Sequence, residues 1–418
     1  MAKTRKDHKG RALRKGETYR KNDGLYTYKY TDPFGKKKYI YSKDLARLRE
    51  REERLKKDQL DGLDIYAMGR ATVDFVYDRY IKSKTELRQT TRAVYDYTYD
   101  HFVRGAFGKN KIAAVKYSDV LFFYQDLLEG KEVSISTVES VHCLLHPTFQ
   151  MAVRDDIIRK NPTEGVLAEV KKKWSGSAGV RRALTVAQQN RLVMILDYPE
   201  NRKWKPIIIF LLGTGCRIGE VIGIRWEDID FQERVIDINH SVSYLAKRKG
   251  IAGQTGYVVN YPKTEAGRRS IPLLDVVYDS LMEQKEFNAA MHYPSDYEVG
   301  GLKDFVFFNR NGKLHNQGTV NRGIKRLVND YNLVEELQAK RDKREAEMLP
   351  AFSCHHLRHT FCTRLCEVET NLKLIQSIMG HADIETTMNI YAEVMEETKK
   401  ESFKKLSESY DIFRTASC

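Results

Sequence analysis

The stretch KKKWSGSAGVRR (171–182) does most to limit the architecture of this chain. It mixes small flexible residues with five basic ones and has no apolar periodicity, whereas the regions on both sides carry apolar residues at helical spacing. That is the composition of a linker running along a polyanion. At 418 residues the chain also exceeds what one hydrophobic core usually organises, so a multidomain protein is expected.

Upstream of the break the pattern changes once more. GLYTYKY (24–30) and KKKYIYS (36–42) alternate residue by residue around TDPFG, whose Pro33 and Gly35 suit a turn. A β-hairpin is expected, with a third strand from GETYRKN and with Tyr26, Tyr28 and Tyr30 on one face and Lys29 on the other. A charged helix follows, with Ser42 as its expected cap. From about 70 to 172 the pattern is helical throughout, and Pro147 is expected to kink or interrupt the last helix. His142 and His146 are four apart, a spacing that admits metal ligation, but no third ligand lies near in sequence. Downstream of the break, Thr185 and Gln188 have capping-box spacing and open a new domain of helices with a strand-rich middle, about 231–273.

The balance of 71 Lys+Arg against 57 Asp+Glu gives a formal charge of +14, the electrostatic footprint of a protein that binds a polyanion. Residues 1–21 hold nine Lys or Arg against Asp7 and Glu17, so the excess is concentrated there. This end is too polar for a signal peptide, and the apolar run IIIFLL (207–212) is far below the roughly 20 residues of a membrane span. A soluble, cytoplasmic protein without a membrane partner is expected. Six cysteines without a CxxC pair point to reduced, buried thiols.

Three motifs carry chemistry. In LLGTGCRIGEVIGIRWEDID the apolar helix should end at Gly213, placing Arg217 at the mouth of the next helix with Glu220 one turn on. A phosphate-binding backbone nest and a plain Arg217–Glu220 surface pair are both compatible with that spacing. In SCHHLRHTFCTRL, Ser353 can cap a helix on which His355, Arg358 and His359 lie near one face, with Leu357, Phe361 and Leu365 as an apolar stripe. Zinc on His355, His359 and His381 fits the i, i+4 spacing, but Arg358 would repel the cation and no acidic residue accompanies the histidines. In LIQSIMGHADIETTMNIYAEV, Gly380 can end one helix and leave His381 on a loop, and the next helix delivers Tyr391 ten residues later.

Taken together, TGCRIGEVIGIRWEDID, HHLRHTFCT and IMGHADIETTMNIY resemble the signature boxes of the tyrosine recombinase, or phage integrase, family over roughly residues 70–400. The first 65 residues resemble the arm-binding domain of integrases from conjugative transposons.

The resemblance implies that Arg217 and Arg358 grip the non-bridging oxygens of a scissile DNA phosphate. A permanently charged, forked guanidinium suits that task. It implies that His355 relays the Tyr391 proton, that His381 hydrogen-bonds the phosphate, and that Tyr391 attacks phosphorus to give a 3′-phosphotyrosyl link. In the family a lysine at the tip of a β-hairpin protonates the leaving 5′-oxygen. The matching element is GYVVNYPKTEAGRRSIPL, two strand-like halves around KTEAG, which would give that role to Lys263 in the turn, with Lys247 and Lys249 nearby in sequence. Glu220 would support Arg217 from behind. Met379 stands where the family usually has a small aliphatic residue. No cofactor and no metal is implied, because the phosphotyrosyl bond conserves the energy of the broken phosphodiester. His356 and His359 are read as helix-packing or DNA-backbone residues.

The expected fold is a small α+β N-terminal domain of a three-stranded sheet plus helix (1–65, arm-type DNA), an all-α core-binding domain (70–172), a linker (173–182) and a mixed, mainly α catalytic domain with a C-terminal tail (183–418). The expected function is site-specific recombination at the ends of a mobile element. A type IB topoisomerase and a non-catalytic DNA-binding regulator are the alternatives. Expected partners are double-stranded DNA at core and arm-type sites, three further copies in a tetramer on DNA, and an optional accessory excision or DNA-bending factor. In the tail, Val394, Thr398, Phe403, Leu406, Tyr410 and Phe413 recur at broadly helical spacing, a stripe that suits either its own domain or a neighbouring copy.

Overall fold

A computed structural model of the chain describes residues 5–31, 37–60, 71–174, 182–245, 255–262 and 267–409. It divides into two compact units, 1–178 and 179–418.

The first unit opens with an antiparallel sheet, β1 (Glu17–Arg20), β2 (Leu25–Thr31) and β3 (Lys37–Ser42), in that spatial order. Register pairs Tyr28 with Ile40 and Lys29 with Tyr39, so alternation puts Tyr26, Tyr28 and Ile40 on the inner face. There they pack on Leu45, Leu48 and Leu55 of α1 (Leu45–Leu60). Burial on that scale is worth roughly 1.5–3 kcal/mol per large side chain. The inner face is therefore core and gives no stacking platform, whereas Tyr39 and Tyr41 on the outer face are 49% and 45% exposed. Arg49 of α1 forks onto buried Glu17 at 2.9 and 3.1 Å and fixes the helix on the sheet. The cap of α1 is Asp44, which accepts from the amides of Ala46 and Arg47, and not Ser42, whose hydroxyl instead accepts from the Asp44 amide.

The helical part of this unit contains α2 (Val73–Ser83), α3 (Gln89–Tyr99), α4 (Tyr117–Glu129), α5 (Ile135–Arg154) and α6 (Val166–Lys173). Its core is separate from that of the sheet and is rich in aromatics, with Tyr77 and Tyr99 stacked at 3.4 Å between centroids. Helix α5 runs unbroken through Pro147, so the interruption expected there does not occur. His142 and His146 spend their Nδ1 atoms on Tyr124 and Thr163, at 3.0 and 2.8 Å, as packing residues do.

The second unit begins where Thr185 and Gln188 close a reciprocal cap on α7 (Val186–Leu196). Helix α8 (Lys205–Thr214) is buried on every side from Pro206 onward and forms the centre of the core. It ends after Thr214, with Gly215 left-handed at φ +61°, and not at Gly213. Gly213 stays helical and must lack a side chain, since a Cβ there would lie 2.3 Å from Val277. Helix α9 (Ile218–Gly223) follows at once, then a sheet of β4 (Ile229–Asp230), β5 (Val235–Ile238) and β8 (Arg269–Pro272), and a separate hairpin of β6 (Ser241–Leu245) and β7 (Gly256–Asn260). The two strand-like halves around KTEAG thus do not pair with each other: β7 pairs with β6, and β8 with β5.

Helices α10 (Asp275–Ala290), α11 (Gln317–Asp342), α12 (Cys354–Val368), α13 (Leu372–Met379) and α14 (Ile384–Ser409) complete the unit. A small cluster of Cys362, Cys366, Ile375, Met379 and Val394 joins the last three. Val394 of the expected tail stripe therefore packs on its own unit, while Phe403 is exposed; the side chains of Thr398, Leu406, Tyr410 and Phe413 lie outside those described. Four of the five described cysteines are buried thiols and Cys143 is exposed. Among the described residues no helix is long and apolar enough to cross a membrane.

Candidate active site: arginines on the carbonyl end of a helix

Helix α13 ends at Gly380, left-handed at φ +63°, and like any helix it leaves its last carbonyls without partners inside the helix. Three arginines from three different elements fill that gap on consecutive residues. Arg269 Nε donates to the Ile378 carbonyl at 2.8 Å, Arg358 Nη2 to that of Met379 at 2.7 Å, and Arg217 Nη2 to that of Gly380 at 2.8 Å. Cations are also favoured there by the negative end of the helix dipole.

Each arginine is delivered by a local feature already visible in the chain. The left-handed Gly215 turns α8 into α9 and leaves Arg217 at the N-terminal boundary of α9, its side chain 45% exposed. The same turn lets α12 come close, since a Cβ on Gly215 would lie 2.3 Å from Phe361. Arg358, one turn into α12, is buried and also donates through Nη1 to the Gly215 carbonyl at 2.6 Å. Burial, then the charge of Arg217, pushes its pKa down to about 10.

Buried Glu220 balances the cluster. Oε1 accepts from Arg217 Nη1 at 2.9 Å and Arg269 Nη1 at 3.2 Å; Oε2 accepts from the Arg217 amide and from Arg269 Nη2, both at 2.8 Å. Burial alone would raise the carboxyl, but the Arg269 hydrogen bonds and the charges of Arg269 and Arg217 hold it below the usual range. The surface-pair reading of Arg217 and Glu220 is thereby corrected: the carboxylate is inside and shared.

His381 follows directly on the turn. Its Nδ1 lies 3.0 Å from Thr387 Oγ1, and burial, then the charges of Arg358, Arg217, Arg269 and His355, pushes its pKa down to about 4. The imidazole is therefore neutral at neutral pH. His355 is exposed on the first turn of α12. His356 Nδ1 accepts from the Ser353 amide at 3.2 Å and so helps cap its own helix, and His359 faces Glu393 at 3.9 Å. Tyr391 is half-buried on α14 and packs on the cluster that contains Met379 and Cys362. Lys263, with Lys247 and Lys249, lies outside the described residues; its flanks Pro262 and Gly267 are close enough that a Cβ on Gly267 would lie 2.6 Å from Pro262.

Sequence reasoning did not find Arg269. The available signal was alternation: RSIP in β8 reads buried, exposed, buried, exposed, which puts an arginine on the inward face beside Ile271. A charged residue there requires a buried partner.

The phage integrase family matches residues 182–398, and the family described as the DNA-binding domain of tn916 integrase matches residues 1–59. The chain is 30% identical to the transposase from transposon Tn916 of Enterococcus faecalis over 97% of its own length and 98% of the relative's. It resembles the structure of the Tn1549 transposon integrase in complex with transposon right end DNA, with TM-score 0.67, 28% identity and coverage of 81% of this chain and 100% of that one. A lambda integrase tetramer bound to a Holliday junction shares the fold at TM-score 0.50 and 17% identity, covering 89% of this chain and 97% of that one.

Proposed function

Because the chain belongs to the phage integrase family, as a tyrosine recombinase of the kind found in conjugative transposons, we propose that it cuts and rejoins DNA at element ends through a 3′-phosphotyrosyl intermediate. The observation that carries the proposal is the convergence of Arg217 and Arg358 on adjacent carbonyls of the turn that bears His381.

Both guanidiniums keep N–H groups beyond those used on carbonyls, and these would hold the non-bridging oxygens of the scissile phosphate. Neutral His381, oriented through Nδ1 by Thr387, would donate its Nε2–H to the same phosphate. Tyr391 Oη would form a bond to phosphorus as the bond to the 5′-oxygen breaks, with its proton taken by His355. Lys263 would give a proton to the departing 5′-oxygen, leaving a 5′-hydroxyl. Positive charge held in place by backbone carbonyls would stabilise the charge that grows in the transition state. Religation by a different 5′-hydroxyl reverses these steps and exchanges strands.

The outer face of the N-terminal sheet, with Lys29, Tyr39 and Tyr41, is the proposed contact to distal arm sites, the helical domain and second unit the contact to core sites. Four copies on two duplexes would supply the four cleavages, in the bacterial cytoplasm at the nucleoid. The topoisomerase and regulator readings find no support in these relatives. The test is a nicked suicide duplex carrying the element end, incubated in EDTA: a covalent protein–DNA adduct supports the proposal and its absence contradicts it.

A further inference from the structure

Arg269 has no role in the chemistry above, yet its side chain is only 3% exposed and each nitrogen of the guanidinium is engaged. Nε holds the Ile378 carbonyl, and Nη1 and Nη2 hold both oxygens of Glu220. Burying a second arginine beside one carboxylate is costly unless something requires its charge. The requirement lies in the partner they share. Glu220 also binds Arg217 through the amide and Nη1, and of the two arginines Arg217 is the one open to solvent. If Glu220 were balanced by Arg217 alone, that pair would present no net charge to an approaching phosphate. With Arg269 behind it, the carboxylate is already neutralised from the inside. Gly380 fits the same arrangement, since a Cβ there would lie 2.9 Å from Arg269 Nη1.

We propose that Arg269 is a positioning residue for DNA cleavage: it neutralises Glu220 so that Arg217 faces the scissile phosphate with an uncompensated positive charge, and it fixes the Ile378–His381 turn from the side of β8. This rests on the phosphate-clamp reading of Arg217 and Arg358. Arg269 itself does not touch DNA.

The experiment measures single-turnover cleavage by the full chain on two nicked suicide duplexes, one with an ordinary phosphodiester at the scissile position and one with an uncharged methylphosphonate there. Arg269→Met should lower phosphodiester cleavage about 100-fold, as expected when charge stabilisation is weakened, and methylphosphonate cleavage less than about tenfold, with DNA affinity unchanged. Adding Glu220→Gln to Arg269→Met removes the uncompensated carboxylate and should restore at least about tenfold of the lost rate, a coupling that simple loss of packing does not produce. Arg269→Lys, which keeps the charge and is the variant to rely on if Arg269→Met melts prematurely, should cleave the phosphodiester within about tenfold of the parent. Equal losses on both substrates, no recovery in the double variant, or an Arg269→Lys as impaired as Arg358→Ala would overturn the proposal. A parent that cleaves alongside an equally active Arg269→Met would overturn it alone; a parent that forms no adduct would instead overturn the reading of the site on which it rests.

Discussion

Arg217 and Arg358 donate to neighbouring main-chain oxygens, those of Gly380 and Met379, at 2.8 and 2.7 Å. They come from positions 141 residues apart in the chain, yet one peptide unit fixes their spacing. In the proposed phosphate clamp the protein's own backbone holds both guanidiniums in place, and fixed donors of this kind make charge stabilisation effective.

Replacing either clamp residue tests this directly. Arg217→Ala or Arg358→Ala is expected to lower single-turnover cleavage by about two to three orders of magnitude. Binding of uncut core DNA, spread over many phosphate contacts, should change little. Adduct formation within a few-fold of the parent would make the arginine a structural residue only.

Gly380 connects the clamp to the backbone. Its φ of +63° disfavours any side chain, and a Cβ would also press on Arg269. Gly380→Ala is expected to destabilise the second unit by about 1–2 kcal/mol and to slow cleavage at least about tenfold, read by denaturant unfolding and by adduct yield. A variant with parental stability and rate would contradict this use of the turn.

How much of this was legible beforehand varies with how local the cause is. The Thr185–Gln188 cap, the stop at Gly380 and the position of Arg217 before α9 depend on a few adjacent residues, and all stand where the pattern put them. Strand partners depend on distant segments, so the halves around KTEAG suggested a hairpin although β7 and β8 belong to different sheets. The glycine that stops α8 was misplaced by two residues because Gly213 and Gly215 look alike in sequence, and only the folded chain shows that Gly215 is the left-handed one. Arg269 went unnoticed because its partner Glu220 is 49 positions away.

The state of His381 gives a pH signature. Its folded pKa, about 4, lies below the ordinary 6.5, so the unfolded chain binds the proton more readily. The stability it contributes is present above about pH 6.5 and lost as pH falls through that window to about 4. His381→Gln should flatten the stability-against-pH slope there without changing it above pH 7. His142 and His315, also near 4, remain in both proteins, so the difference between them isolates His381. An identical slope would contradict the assignment.

Lys263 is testable by leaving-group chemistry. A 5′-phosphorothiolate at the scissile position departs as a thiolate without needing a proton, so it should rescue Lys263→Ala and fail to rescue Arg358→Ala. Absence of rescue would move the role to Lys247, Lys249 or another group.

The most direct measurement concerns the nucleophile. Tyr391→Phe removes one oxygen from a half-buried ring that packs on the cluster joining α12, α13 and α14, so folding and DNA affinity should be nearly unchanged. Incubated with the nicked suicide duplex, the parent is expected to accumulate a covalent adduct that releases a tyrosine-linked nucleotide on proteolysis, and Tyr391→Phe none. An adduct of parental yield from Tyr391→Phe would show that another residue attacks phosphorus and would contradict the recombinase mechanism built around this site.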